Sequence, residues 1–244
     1  MMKKLSIVLA LILAVFVLTA CGGSSGNNGN NGGGAATNNQ ASESNGTTSG
    51  QAQSAVPGLP TFEPFVFSGA GDVVTDSIEI PARYAVASIK VSNNGENHYF
   101  GVQQLNGSLE ELMILVNTSG DYQGSVLIDS QRYGTDGKVA FSIDADGNGS
   151  WDITVTPLVA AEGTSFAGTG DYVSGVFLSP GTGMWKFSHD GMRNFQVYYY
   201  SLSGNNDRVV NEIGAYDAES NINLGDGYVF LVIIADGNWS ITQK

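Results

Sequence analysis

The stretch DADGNGSWD at 144–152 places acidic or amide side chains at alternate positions: Asp144, Asp146 and Asn148, with Asp152 at its end. Calcium takes oxygen ligands from this kind of spacing, so the four residues form a candidate calcium site. An EF-hand-type loop also needs a bidentate acid at its twelfth position. Counted from Asp144, that position is Val155, inside a strand-like alternation. The competing reading is a tight hairpin turn in which Asp-Gly supplies a positive φ. We read the stretch as the turn, and no cofactor is expected.

Other catalytic chemistry is poorly supplied. There are two histidines, His98 and His189, and one cysteine. Ser188, His189 and Asp190 adjoin in sequence, but the members of a catalytic triad converge from separate elements. His189 aligns with Asn93 of an internal repeat, in a turn before Gly95 and Gly191, and is expected to be exposed there. No P-loop, H-E-x-x-H or Cys/His cluster occurs. Paired carboxylates run glycoside hydrolysis, but most acids here lie in Gly/Asn-rich turns. Asp72 and Asp171 each follow Gly-x-Gly and read as turn residues preceding a strand. No enzymatic activity is expected.

Aromatic residues offer a binding surface instead. In the run Tyr198-Tyr199-Tyr200, strand alternation puts Tyr199 with Phe195 and Val197, leaving Tyr198 and Tyr200 on the other face. Two tyrosines facing outward would stack on sugar rings; the alternative is that this face packs against another part of the chain. Trp185 alternates in step with Phe187 and reads as core.

The N-terminus reads MMKKLSIVLALILAVFVLTACGG. Lys3 and Lys4 precede an apolar run, 5–17, that is too short for a comfortable membrane span. It ends in Leu18-Thr19-Ala20-Cys21, which resembles the lipobox of bacterial lipoproteins. The resemblance implies a signal peptide over 1–20 and acyl chains such as palmitate on Cys21, anchoring the chain to a lipid bilayer. At about 0.8 kcal/mol per buried methylene, several acyl chains hold permanently. The expected location is the cell envelope, facing outward from the cytoplasmic membrane or attached to the outer membrane. Cys21 is the sole cysteine, so no intramolecular disulfide exists.

Formal charge is −13; loss of 1–20 removes Lys3 and Lys4, leaving 8 of 10 basic residues against 23 acids, or −15. Such a surface repels nucleic acid, and neutral glycans, cations or basic proteins suit it better. In the segment 21–55, the residues after Cys21 are Gly, Asn, Ser, Thr, Ala and Gln with Glu43 as the single charge. That composition predicts a disordered tether with a reach of roughly 30–35 Å.

The remainder carries a tandem duplication, with units over 56–160 and 161–244. FSGAGDVVTDSIEIP (67–81) matches FAGTGDYVSGVFLSP (166–180), and KVSNNGENHYFGV (90–102) matches KFSHDGMRNFQV (186–197). GKVAFSIDADGNGSWDIT (137–154) matches GYVFLVIIADGNWSIT (227–242). Blocks recurring in one order mark repeated supersecondary units. Period-two alternation and Gly/Asn/Asp turns predict an all-β chain of two antiparallel β-sandwich, jelly-roll-like domains. The order of features also resembles pre-peptidase C-terminal domains, which implies a jelly roll but no function. The expected role is non-catalytic binding or adhesion towards an envelope glycan or surface protein; the alternative is a structural or accessory lipoprotein.

Overall fold

The computed structural model describes residues 56–146 and 149–244; Cys21, the tether and Asn148 lie outside the described residues. Repeat 1 runs β1 (Phe65–Ala70), β2 (Val73–Val74), β3 (Ile78–Glu79), β4 (Tyr84–Ser92), β5 (Tyr99–Asn106), β6 (Glu111–Ser119), β7 (Tyr122–Asp129), β8 (Lys138–Ala145) and β9 (Ser150–Pro157). Repeat 2 runs β10 (Ser165–Thr169), β11 (Tyr172–Val173), β12 (Phe177–Leu178), β13 (Thr182–His189), β14 (Asn194–Ser201), β15 (Asn206–Ile213), β16 (Tyr216–Asn223), β17 (Tyr228–Ala235) and β18 (Asn238–Gln243). No α-helix occurs among the described residues.

Each repeat is a sandwich of two antiparallel sheets. In repeat 1 these are β1-β9-β4-β7 and β2-β8-β5-β6, with β3 also on β8. Repeat 2 copies them as β10-β18-β13-β16 and β11-β17-β14-β15, with β12 on β17. Counting β2 with β3, and β11 with β12, as interrupted single strands gives eight strands per repeat in jelly-roll order. The two inner faces close over separate apolar cores, one around Phe100, Phe141, Trp151 and Ile153, the other around Trp185, Phe187, Phe195 and Trp239.

The duplicated blocks are recognisable as duplicated devices. Trp151 and Trp239 are buried, and their Nε1–H groups donate to Gly71 O at 3.0 Å and Gly170 O at 2.8 Å. Each indole lies over a glycine of the neighbouring strand, where a Cβ would approach within 2.5 Å at Gly69 and 2.8 Å at Gly168. Asp72 and Asp171 accept the N–H groups of Ala145 and Ala235, at 2.9 and 3.1 Å. Thr75 and Ser174 hydroxyls accept from Phe141 and Leu231, at 3.0 and 2.8 Å. The Gly-x-Gly-Asp signature therefore seats the start of one sheet and clasps the tryptophan of the other.

Two expectations are corrected. The closing segments are not hairpins: β8 and β9 lie in opposite sheets, as do β17 and β18, so each turn is an arch between the two layers. Gly237 has no positive φ; it is required because a Cβ would meet the Gly191 backbone N at 2.5 Å. His189 is buried rather than exposed, with its residue 4 % accessible. Pairing explains why: Trp239 sits opposite His189 and Trp151 opposite Val91, so His189 takes the core place of Val91 and not the turn place of Asn93.

The two sandwiches meet through one outward face of each. Tyr84 and Leu127 of repeat 1 join Val173, Val176 and Phe230 of repeat 2 in a third apolar cluster, with Leu158. The Tyr84 and Tyr200 rings pack on Phe230 at 5.4 and 5.6 Å. The central strand β17 consequently reads YVFLVIIA, apolar on both faces, whereas its counterpart β8 reads KVAFSIDA and alternates. A strand covered on both sides loses its alternation. At the places of Tyr84, Val86 and Leu127, repeat 2 carries Thr182, Met184 and Asn221. The apolar docking face of repeat 1 therefore has no apolar counterpart at the same places of repeat 2.

Candidate functional site

The outward face of the β1-β9-β4-β7 sheet is apolar at one end, where repeat 2 covers it, and polar at the other. The step between them forms a cleft of about 390 Å³, floored by Ser88, Lys90, Gln123, Asp152 and Thr154 and walled by Tyr172 of repeat 2. Strand alternation aims these floor side chains away from the core. Lys90 sits directly opposite both Asp152 and Gln123 in the sheet. Among the described residues, Lys90, Asp152 and Gln123 side chains form no hydrogen bond or ion pair.

Hydrogen bonds between the repeats fix the wall. Ser125 N donates to Asp171 O at 3.0 Å and Val173 N to Ser125 Oγ at 3.0 Å. Tyr122 Oη donates to Asp171 Oδ2 at 2.8 Å. Burial pushes the Asp171 carboxyl above the usual aspartate range, outweighing the lowering by Tyr122 and by the Ala235 N–H. The Tyr122 phenol is likewise pushed up, by burial first and by the adjacent carboxylate second. Asp171 is therefore a structural acceptor behind the wall. The neighbouring Tyr172 is 40 % exposed and rests on Trp239, ring centroids 5.6 Å apart.

Repeat 2 has a shallow concavity of about 590 Å³ on the equivalent face, lined by Ser188, Asp217 and Ser240 among others. These residues hold the places of Lys90, Gln123 and Asp152. Their polar groups satisfy one another: Ser188 Oγ lies 2.7 Å from Ser240 Oγ, and Lys186 Nζ 3.1 Å from Asp217 Oδ1. Asp190 accepts both Asn238 N–H and Asn238 Nδ2–H.

His189 lies beneath that face, stacked on Phe195 at 4.7 Å. Its Nδ1 is 2.9 Å from Gly214 O, which as a carbonyl must accept, and its Nε2 is 3.4 Å from Asp236 Oδ1. Burial alone would raise Asp236, but amides of Arg193 and Met192 donate to it and hold it below the usual range. Ser188 and His189 point to opposite sides of β13, so no Ser-His pair forms.

The residues singled out from sequence are placed as follows. Tyr198 is half-buried on the outward face, with Oη donating to Gln196 Oε1 at 3.1 Å and the Arg208 guanidinium 6.0 Å from its ring. Tyr200 packs between the repeats on Tyr84 and Phe230. Asp144 projects from β8 beside Asp72 and Asp146; burial and then these neighbours push its carboxyl up. Asp152 projects from β9 on the opposite sheet, into the cleft, so it does not converge with Asp144. Among the described residues no group of three His, Cys, Asp or Glu side chains is arranged to hold a metal ion. Sequence reasoning missed Tyr172, although the aligned blocks GDVV and GDYV differ at that place.

No protein-family model matches the chain, and no curated protein matches it. Among solved structures it is similar to the crystal structure of a "putative secreted protein" from Parabacteroides distasonis ATCC 8503, at 9% identity, covering 77% of this chain and 90% of that one, with a TM-score of 0.19. A likeness at that score carries no weight in the argument below.

Proposed function

We propose that the chain is an outward-facing envelope lipoprotein, anchored through Cys21, whose tandem jelly-roll body binds an envelope glycan or a surface protein without catalysis. The observation that carries the binding role is the cleft, where Lys90, Asp152 and Gln123 stay unpaired beside a rigid wall, while the matching face of repeat 2 satisfies itself. Rigid walls lower the ordering cost of association. The opposed orientation of Ser188 and His189 supports a non-catalytic role. Anchoring rests on the order of Lys3 and Lys4, apolar run and Leu18-Thr19-Ala20-Cys21.

The test has two parts. Cells fed labelled palmitate are expected to label the wild-type chain and not Cys21→Ala, which should leave the membrane fraction; equal labelling of both sinks the anchor. Purified full-length chain in detergent, immobilised, is expected to retain an isolated envelope component, glycan or protein. Retention of none sinks the binding role. A second reading, a structural or accessory lipoprotein, is favoured by Met192 and Ile213, 86 % and 80 % exposed at one end of repeat 2.

A further inference from the structure

We infer that the cleft between the repeats is a saccharide site, taking one or two rings of a neutral glycan on the face of Tyr172 with Lys90, Asp152 and Gln123 as polar contacts. The inference rests on the binding role proposed above and names its site and ligand class.

Three observations point the same way. The first is the chemistry of the lining. A sugar ring presents a C–H face and a rim of hydroxyls that both donate and accept. Tyr172 offers an exposed aromatic face, and sites of this size combine such a surface with a few placed polar groups. Asp152 is an acceptor, Lys90 a donor and Gln123 both, and all three stand on one patch of sheet.

The second is the contrast within the molecule. Lys90 and Asp152 are cross-strand neighbours of opposite charge, an arrangement that favours pairing. They do not pair. The same places in repeat 2 hold Ser188 and Ser240, which bond each other, and Asp217, which holds Lys186. One copy of the face closed its polar groups and the other left them open; the open one is walled by Tyr172, whereas the closed one is lined by its own Tyr216 and Trp239.

The third is rigidity and charge. Tyr172 is backed on one side: it rests on Trp239, whose Nε1–H donates to Gly170 O at 2.8 Å. Its strand neighbour Val173 is bonded across to Ser125. The cleft has one cation, Lys90, against Asp152 and Asp171, in a chain of net charge −13. That field disfavours uronate or phosphorylated sugars and leaves neutral ones.

The test is calorimetric titration of the full-length chain in detergent with cello-, xylo- and manno-oligosaccharides, and oligogalacturonate as the charged comparison. One neutral series is expected to saturate. Tyr172→Ala and Asp152→Asn should each weaken it by about tenfold or more, whereas Tyr172→Phe, which keeps the ring, and Tyr198→Ala should leave affinity within about threefold. Thermal midpoints of the variants separate lost contacts from lost folding. Loss in Tyr198→Ala with retention in Tyr172→Ala and Asp152→Asn overturns the site and spares the binding role. Preference for oligogalacturonate overturns the ligand class. If no sugar binds, a photo-crosslinker at position 172 on intact cells decides between the two failures. An adduct with an envelope protein overturns the saccharide alone; no adduct, with no component retained by the immobilised chain, overturns the binding role as well.

Discussion

The tryptophan clasp predicts a graded response to adding a single methyl group. At Gly69 a Cβ would lie 2.5 Å from Trp151 Cζ2 and 3.0 Å from Cε2 and Cη2. Ordinary contact would require the indole to withdraw by about 1 Å. The ring has no room for this, being 2 % exposed in the repeat 1 core with Nε1–H bonded to Gly71 O at 3.0 Å. Overpacking of this kind costs about 1–3 kcal/mol, and straining the indole hydrogen bond adds up to about 1 kcal/mol. Against that, an alanine restricts the unfolded chain and returns about 0.4–1 kcal/mol. The net expectation for Gly69→Ala is a loss of about 2 kcal/mol, or roughly 4–8 °C in the midpoint for a chain of this size. Gly168→Ala, with its nearest contact at 2.8 Å, should lose less, and Gly163→Ala, with nothing within 4 Å, should lose nothing. The assay is thermal and urea unfolding followed by circular dichroism. Trp151→Phe removes the atoms that clash, so the double variant with Gly69→Ala should show a coupling of about 1 kcal/mol or more in the cycle. If Gly69→Ala behaves like Gly163→Ala, or the double variant is additive, the clasp does not constrain the glycine and the reasoning fails.

Three further outcomes are expected. Tyr200→Ala should cost about 3 kcal/mol, because its ring fills the seam between the repeats, while Tyr198→Ala should cost under about 1 kcal/mol; equal losses in urea melts would refute the seam. Tyr84 buries a hydroxyl that has no hydrogen-bond partner among the described residues, so Tyr84→Phe should be neutral or stabilising by up to about 1 kcal/mol in the same melts; a clear loss would mean that the hydroxyl is satisfied. The two shifted aspartates should respond to pH with opposite signs. Burial raises Asp171, so its folded form holds the proton more tightly; its stabilising contribution is present below the unfolded value and lost as pH rises through the folded one. Asp171→Asn should therefore gain on the wild type from acid towards neutral pH. Asp236 is held low, so its contribution is present above the unfolded value and lost as pH falls through the folded one. Asp236→Asn should lose most at neutral pH and converge with the wild type in acid. Urea midpoints across a pH series check both, and slopes of the same sign would overturn the assignment.

Local patterns made the architecture legible. Period-two alternation is a property of the strand itself, so Phe195, Val197 and Tyr199 sort to one side and Tyr198 and Tyr200 to the other before any tertiary contact is known. The repeated Gly-x-Gly-Asp and Trp likewise marked devices that recur with the same hydrogen bonds in both sandwiches. The core role of Trp185 was readable from its spacing to Phe187.

What tertiary structure alone decided were pairings and coverings. Asp-Gly-Asn chemistry specifies that the chain turns, but a hairpin and an arch share that local signal; only the sheet assignment of β8 and β9 separates them, and it sent Asp144 and Asp152 to opposite sides. His189 was misplaced because a matching Lys-x-Ser string is weaker than the cross-strand register to Trp239, which is a contact fifty residues distant in sequence. Alternation says that a residue faces outward, not whether something covers it. Covering depends on rigid docking between segments far apart in the chain, and that docking buried Tyr200, left Tyr198 at the surface, and raised Tyr172 as a wall beside Lys90 and Asp152.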